Sequence, residues 1–187
     1  MTRELVILGA GSHASVIIDM IELTGGYTIV GLLDDYKDDQ EHDGYGIMGT
    51  HDCLPELKHL HIEYFVCAVG ENHTRKLLFE SAIKHGLIPA TIIHPSAQIS
   101  PKAKIGDGTV IMANAVVNAY AFVGDNCIIN TAATVDHHCV VSDHSHICPG
   151  VHLAGNVWVK SGAVVGIGTH VKPNGIVDSK GRIYDSA

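Results

Sequence analysis

From residue 93 to the end of the chain, every sixth residue is aliphatic: Ile93, Ile99, Ile105, Ile111, Val117, Val123, Ile129, Val135, Val141, Ile147, Leu153, Val159, Val165, Val171, Val177 and Ile183. Ile, Leu and Val supply roughly a quarter of this stretch, so chance gives such an unbroken phase with odds below about 10⁻⁸, and the pattern is a repeat. Two residues before each aliphatic position sits a second series, mostly small: Ala97, Ala103, Thr109, Ala115, Ala121, Cys127, Ala133, Cys139 and Ser145, then Val151, Val157, Ala163 and Thr169. One large and one small inward position per six residues describe short strands that bend at corners and stack coil upon coil. Hairpins of a β-sandwich would instead show two-residue alternation and turn residues at roughly 8–12-residue spacing, and neither is present.

The composition agrees with a backbone-dense architecture. Glycine accounts for 20 of 187 residues while aromatics make up only 5%, too few for a conventional aromatic-filled core. A formal charge of −8 with only 12 Lys and Arg argues against nucleic acid or an anionic membrane surface as a partner. The five cysteines, Cys53, Cys67, Cys127, Cys139 and Cys148, are scattered and form no C-x-x-C pair. That usage suits a reducing compartment, and a cytoplasmic location is expected. The apolar stretch Leu5 to Ile21 is broken by Gly9, Gly11, His13 and Asp19, which excludes a signal peptide or membrane span there.

Ahead of the repeats, Glu4 to Leu8 reads as a buried strand, followed by Gly9-Ala10-Gly11-Ser12-His13-Ala14 and an amphipathic helix from Ser15 to about Leu23. Such a junction favours phosphate, because unpaired backbone N–H groups converge at a helix N-terminus and glycines allow close approach. A second strand, Thr28 to Leu33, ends at Asp34-Asp35, where a carboxylate can accept hydrogen bonds from a ribose or base. Strands near Tyr64–Val69 and Ala90–Ile93, with a helix around Thr74–His85 between them, complete a single mononucleotide-binding half. The expected organisation is an α/β half-Rossmann (βαβαβ) domain over 1–92, binding a nucleotide sugar, and an all-β domain of repeats over 93–187.

In this order the two halves resemble one family, the sialic-acid O-acetyltransferase and nucleotide-sugar N-acetyltransferase group of hexapeptide-repeat acyltransferases. That group includes enzymes acetylating UDP-4-amino-sugars of the bacillosamine type. The resemblance is carried by the glycine loop Gly9 to Ala14, by Asp34-Asp35, by Ile93-His94-Pro95-Ser96-Ala97, and most specifically by Ile129-Asn130-Thr131-Ala132-Ala133-Thr134-Val135-Asp136-His137-His138-Cys139. It implies a left-handed parallel β-helix with three hexapeptides per coil and a homotrimer with active sites between subunits. It further implies acetyl-CoA as co-substrate, no metal, and acetylation of a nucleotide-linked amino sugar in bacterial glycan biosynthesis. Outward apolar residues, Val110, Val116, Phe122, Ile128, Val140 and Val164, are expected to form an exposed stripe that favours association.

Acetyl transfer from a thioester needs a base for the nucleophile's proton and donors for the developing oxyanion. By the resemblance His137 is the general base, with Asp136 and His138 beside it. Asn130 lines the substrate pocket, His146 lies near the acetyl group, and Gly9, Gly11, Ser12, His13, Asp34 and Asp35 bind the sugar nucleotide. Gly155, Gly166 and Gly168 offer backbone amides to the cofactor. The chain departs from the family in two places. The carboxylate usual after the catalytic histidine is replaced by His138, leaving Asp136 or Asp143 as candidate partners. The Gly-x-Pro-Ala-like tail near the pantetheine is replaced by Ile183-Tyr184-Asp185-Ser186-Ala187, so part of the acetyl-CoA site is expected to be altered.

Two other readings use the same residues: an O-acetyltransferase of sialic-acid-like sugars, and a non-catalytic assembly or regulatory protein. His94 reads as a structural lead-in, and His152 and His170 carry no functional expectation. His137, His138, Cys139, His144, His146 and Cys148 are zinc-compatible types, but they fall on successive repeat units without C-x-x-C or H-x-x-x-H spacing. Cys139 occupies the small inward position and is expected to be an inert core thiol.

Overall fold

The computed structural model describes residues 3–36 and 40–184. Two compact units are present, Met1–Ile92 and Ile93–Ala187. The first contains β1 (Arg3–Leu8), α1 (Ser12–Thr24), β2 (Tyr27–Leu33), β3 (Glu41–His42), β4 (Tyr45–Gly49), α2 (Leu54–Leu57), β5 (Tyr64–Cys67), α3 (Asn72–Lys84) and β6 (Ile88–Pro89). The strands form one sheet in the order β3-β4-β2-β1-β5-β6, with β3 antiparallel to β4 and the other neighbours parallel. β1 is central, and Leu5, Val6, Ile7 and Leu8 are all fully buried, as a strand covered on both faces requires.

Local chemistry moves several boundaries from their expected places. α1 begins at Ser12 rather than Ser15, because Gly11 is already its N-cap and Ser12 and His13 form its first turn. α3 begins at Asn72 rather than Thr74, since the Glu71 carboxylate caps it by accepting the N–H groups of His73 and Thr74 at 2.9 and 2.7 Å. The strand expected over Ala90–Ile93 is misplaced: β6, which closes the first sheet, ends at Pro89 before that span begins, and Ile92–Ile93 is instead the first rung of the repeat region. β3 and β4 were not anticipated from the sequence. A β-carbon on Gly31 of β2 would stand 2.6 Å from the Met48 side chain of β4, so the glycine inside β2 marks this close approach.

The second unit is a parallel β-helix. Two-residue strands recur every six residues from Ile92–Ile93 to Ile176–Val177 and stack into three sheets. Partners lie eighteen residues apart, as in Val110↔Ile128, Val116↔Thr134 and Val123↔Val141, so three strands close each coil. The aliphatic column from Ile111 to Val177 is at most 2% exposed. At the ends the column opens: Ile99 and Ile105 are only partly buried, Ile93 is 36% exposed and Ile183 is 43% exposed.

The small inward series fills the rest of this core, and its polar members are satisfied. Thr109 Oγ1 donates to Gly124 O at 2.7 Å, and Ser145 Oγ donates to Ser142 O and Lys160 O. Cys139 Sγ donates to Ala154 O at 3.1 Å, and burial pushes its thiol up in pKa, as expected of an inert core cysteine.

Two expectations for this unit fail. Ile183 does not continue the helix: Ile183–Tyr184 turns back antiparallel to Ile176–Val177, because Asp178 accepts the N–H groups of Lys180 and Arg182, the Arg182 Nε and the Tyr184 hydroxyl. The departure expected at Asp185 to Ala187 lies outside the described residues. The outward apolar stripe is also shorter than expected. Val110 and Ile128 are buried in the chain itself, at 1% and 0% exposure, and Val116 is half-buried. Phe122, Val140 and Trp158 remain exposed on successive rungs of one face, with Val164 exposed on another.

Candidate functional site

The glycine loop of the first unit borders a concavity of about 490 Å³, within the size range of small-molecule sites. Its two glycines do different things. Gly9 has φ +106°, and a β-carbon on it would stand 2.8 Å from Val69 Cγ2, so it lets the loop pack on the end of β5. Gly11 has nothing within 4 Å of its β-carbon position, and as N-cap it supplies no side-chain acceptor. With no acidic residue in the first turn of α1, the N-terminal amides at Ser12 and His13 present the positive end of the helix to the cavity.

Asp34 and Asp35 line this concavity, and both bond to the protein's own groups. Asp34 Oδ2 accepts the Ala10 N–H at 2.7 Å and Oδ1 accepts the Tyr36 N–H at 2.8 Å, so its carboxylate shapes the loop. Asp35 Oδ1 accepts the His51 N–H at 2.9 Å, and Oδ2 lies 2.8 Å from His51 Nδ1. Burial pushes the Asp35 carboxyl up, but the side-chain and backbone bonds from His51 outweigh it, and its pKa falls below the usual value. Tyr36, His51, Val69, Gly70 and Thr74 also line the cavity. Sequence reading passed over them, because β4 and the turn after β5 were not recognised as its walls.

On the β-helix, Asp136, His137 and His138 form the turn between the strands Thr134–Val135 and Val140–Val141. Asp136 Oδ1 accepts the His137 N–H at 2.7 Å and the Asn118 Nδ2 at 2.9 Å. The His137 N–H, followed by Asn118, holds its pKa below the usual carboxylate value. Asp136 therefore shapes the turn, while His137 Nδ1 lies 3.1 Å from His138 Nδ1. Asp143, the other candidate partner, stands on a different corner and accepts the Asp125 N–H at 3.0 Å. Gly155, one coil further on, lies against the His137 ring.

The remaining residues gather elsewhere. Asn130 Nδ2 lies 3.0 Å from His146 Nε2, on the sheet that carries Ile128–Ile129 and His146–Ile147. Gly166 and Gly168 follow Val164–Val165 of the same sheet. In one chain these four occupy a different prism edge from His137 and Gly155. The side between the two edges carries Val116, Thr134, His152 and His170, and it holds a shallow groove of about 400 Å³ that Asp136 also lines. Thr134 Oγ1 and His152 Nδ1 are 2.8 Å apart in it. Among the described residues, no group of three His, Cys, Asp or Glu side chains is placed to hold a metal.

A glycine-loop α/β unit followed by a three-sided β-helix with a histidine pair on one edge is an architecture of the hexapeptide-repeat class of proteins. Comparison with known proteins narrows this. Residues 4–82 match the PglD N-terminal domain and residues 87–183 the GMPPB C-terminal domain. The chain is 39% identical over 112 residues, 58% of its length and 51% of the relative's, to the UDP-N-acetylbacillosamine N-acetyltransferase of Bacillus subtilis. It spans about half the length of the curated relatives it matches.

Two solved structures agree more extensively. The acetyltransferase domain of PglB from Neisseria gonorrhoeae in complex with acetyl coenzyme A matches with TM-score 0.89 and 37% identity, over 96% of this chain and 86% of that one. PerB from Caulobacter crescentus in complex with CoA and GDP-perosamine matches with TM-score 0.89 and 35% identity, over 94% and 83%. The chain belongs to the nucleotide-sugar N-acetyltransferase family of hexapeptide-repeat proteins.

Proposed function

We propose that this protein transfers the acetyl group of acetyl-CoA to the amine of a nucleotide-linked amino sugar, of the UDP-4-amino-sugar type, in bacterial glycan biosynthesis. The observation that carries this reading is the presence in one chain of a glycine-loop cavity at a helix N-terminus and an exposed imidazole seated over a glycine on a β-helix edge. The relatives crystallised with acetyl coenzyme A and with CoA and GDP-perosamine support it.

In this reading the sugar nucleotide binds along Gly9, Gly11, Ser12 and His13, while Asp34 and Asp35 hold the loop and the adjoining wall in shape. The sugar amine attacks the thioester carbonyl as His137 Nε2 removes its proton. A C–N bond forms, the C–S bond breaks, and the proton leaves with the thiol of CoA. Asn130 and His146 face the acetyl group, and the backbone at Gly166 and Gly168 borders the cofactor. These residues and His137 stand on different edges of one chain, so the complete site is assigned to the cleft between neighbouring copies of a homotrimer. The five free cysteines fit a cytoplasmic, reducing setting, and no helix among the described residues is long and apolar enough to cross a membrane.

The test is a screen of UDP- and GDP-linked amino sugars with acetyl-CoA, following release of free thiol. His137→Ala should lower kcat by roughly 10²–10⁴-fold with folding intact. Absence of thiol release with every amino sugar, or an unchanged kcat in the variant, would count against the proposal.

A further inference from the structure

His137 and His138 meet nitrogen to nitrogen, with their Nδ1 atoms 3.1 Å apart and their rings nearly perpendicular at 83°. Two imidazoles in this geometry share one proton: one Nδ1 must carry it and the other must accept it. For each neutral ring the choice also fixes the other nitrogen, because a neutral imidazole holds a single proton.

Two further contacts hold the pair in place. The His138 ring stacks on Tyr120, one coil before it, with centroids 5.1 Å apart and 24° between planes. A β-carbon on Gly155 would stand 2.5 Å from His137 Cε1 and 2.7 Å from Nε2, so that glycine gives the His137 ring its seat. His138 also occupies a left-handed corner with φ +59°, a conformation that glycine and asparagine fill at eight of the twelve such corners from Gly108 to Asn174. The same corner series also carries the rings of Tyr120 and His144, so the turn accommodates the His138 imidazole, and its contacts with Tyr120 and His137 fix where the ring lies.

We propose that His138 is the positioning residue of the reaction: its Nδ1 accepts the His137 Nδ1–H and thereby keeps the His137 Nε2 unprotonated and available as the base. The inference rests on His137 serving as the base in the function proposed above, but the tautomer it assigns exists without substrate. His138 carries its own proton on Nε2. When His137 takes a proton at Nε2, its Nδ1–H stays bonded to His138 Nδ1, and the positive charge is shared between the two rings. A neutral acceptor therefore does here what a carboxylate would do with charge. The titratable groups around the pair are Asp136 on the same turn, Tyr120 one coil before, Lys102 two coils before with its ammonium 5.2 Å from the Tyr120 ring centre, and His152 across the groove from Asp136.

The experiment uses the full chain and begins without substrate. Imidazole ¹⁵N chemical shifts, with His137 identified by its loss in His137→Asn, should show His137 protonated at Nδ1 and bare at Nε2 near neutral pH. His138→Phe keeps a ring to stack on Tyr120 but no acceptor, and His137 should then drift to a mixture of tautomers. A wild-type His137 protonated at Nε2, or an unchanged tautomer in His138→Phe, overturns the proposal whatever the enzyme's substrate proves to be.

With acetyl-CoA and an accepted amino sugar, His138→Phe should lower kcat about 10–100-fold while KM stays within about twofold, as expected for loss of base orientation. His138→Asn retains an acceptor and suits the left-handed turn, and it should recover most of the loss. His138→Glu should recover activity and move the acid limb of the kcat/KM profile up by about one pH unit, because a carboxylate stabilises the protonated base. Equal kcat in His138→Phe and wild type, or an unmoved acid limb in an active His138→Glu, also overturns it.

Discussion

The imidazole of His137 lies against Gly155, eighteen residues on, so closely that a β-carbon at Gly155 would stand 2.5 Å from Cε1, 2.7 Å from Nε2 and 3.2 Å from Nδ1. Gly155 does not need unusual dihedrals; it needs an absent side chain. Gly155→Ala should therefore push the ring off its seat without unfolding the coil. We expect kcat to fall about 10²-fold, as small misplacements of a reacting group cost, with the melting temperature nearly unchanged. Steady-state kinetics beside thermal melting check this, and unchanged kcat would remove Gly155 from the support of His137.

The stacking offset was available in the sequence, because three six-residue strands per coil place residues eighteen apart directly above one another. Applied to His137 it reaches Gly155, and applied to His138 it reaches Tyr120, neither of which was paired in that way beforehand. The aliphatic column was legible because each member faces a core that tolerates little else. The corner series was equally periodic but less visible: from Gly108 to Asn174 every sixth residue has positive φ, filled by Gly and Asn but also by Tyr120, Ala132, His138 and His144. β4 was illegible for a different reason. Tyr45-Gly46-Ile47-Met48-Gly49 has no clean alternation, since neither face of this strand is fully buried. In the proposed homotrimer Asn130 and His146 of one copy meet His137 of another, a relation that no periodicity within one chain can supply.

Arg75 is almost fully buried, at 1% exposure, and was not singled out from the sequence. Its guanidinium donates to the carbonyls of Val69 and Gly70 at 3.2 and 3.1 Å and to Asn72 Oδ1 at 2.7 Å, tying down the turn that walls the glycine-loop cavity. Its charge also opposes the burial that pushes the Cys67 thiol up to about 12. Lys cannot reproduce a planar fork of donors. Arg75→Lys should take these donors from the Val69 and Gly70 carbonyls and from the buried Asn72 Oδ1, lower stability by about 1–3 kcal/mol and weaken nucleotide binding. Urea unfolding gives the first, and the shift of melting temperature with added UDP or GDP the second.

Phe122, Val140 and Trp158 stand 43%, 38% and 45% exposed on consecutive rungs of one face. A contiguous apolar strip of this kind is costly to leave in water, and in the proposed homotrimer it lies at the contact between copies. Val140→Glu adds a charge at its centre while Val141 continues to face the core. Light scattering should then show monomers in place of trimers, with acetyl transfer lost and the far-ultraviolet dichroism retained. A variant that remains trimeric and active places the contact on another face.

Glu71 caps α3 through two backbone N–H groups, with Oε1 2.9 Å from His73 N and Oε2 2.7 Å from Thr74 N. The bond from Thr74, then that from His73, lowers its pKa from 4.5 to about 2. A carboxylate depressed on folding contributes stability that is fully present above its unfolded value and lost as pH falls through its folded one. The contribution is therefore constant above about pH 4.5 and disappears as pH drops toward about 2. Glu71 is solvent-accessible, so a cap's usual worth of about 1 kcal/mol is the better guide to its size than the full shift in pKa. Glu71→Ala should lower stability by about that amount at pH 7, and the difference from wild type should shrink on acidification. Urea titrations at pH 7, 4 and 3 measure it; a difference that stays constant across this range would show that the charged cap does not hold the start of α3.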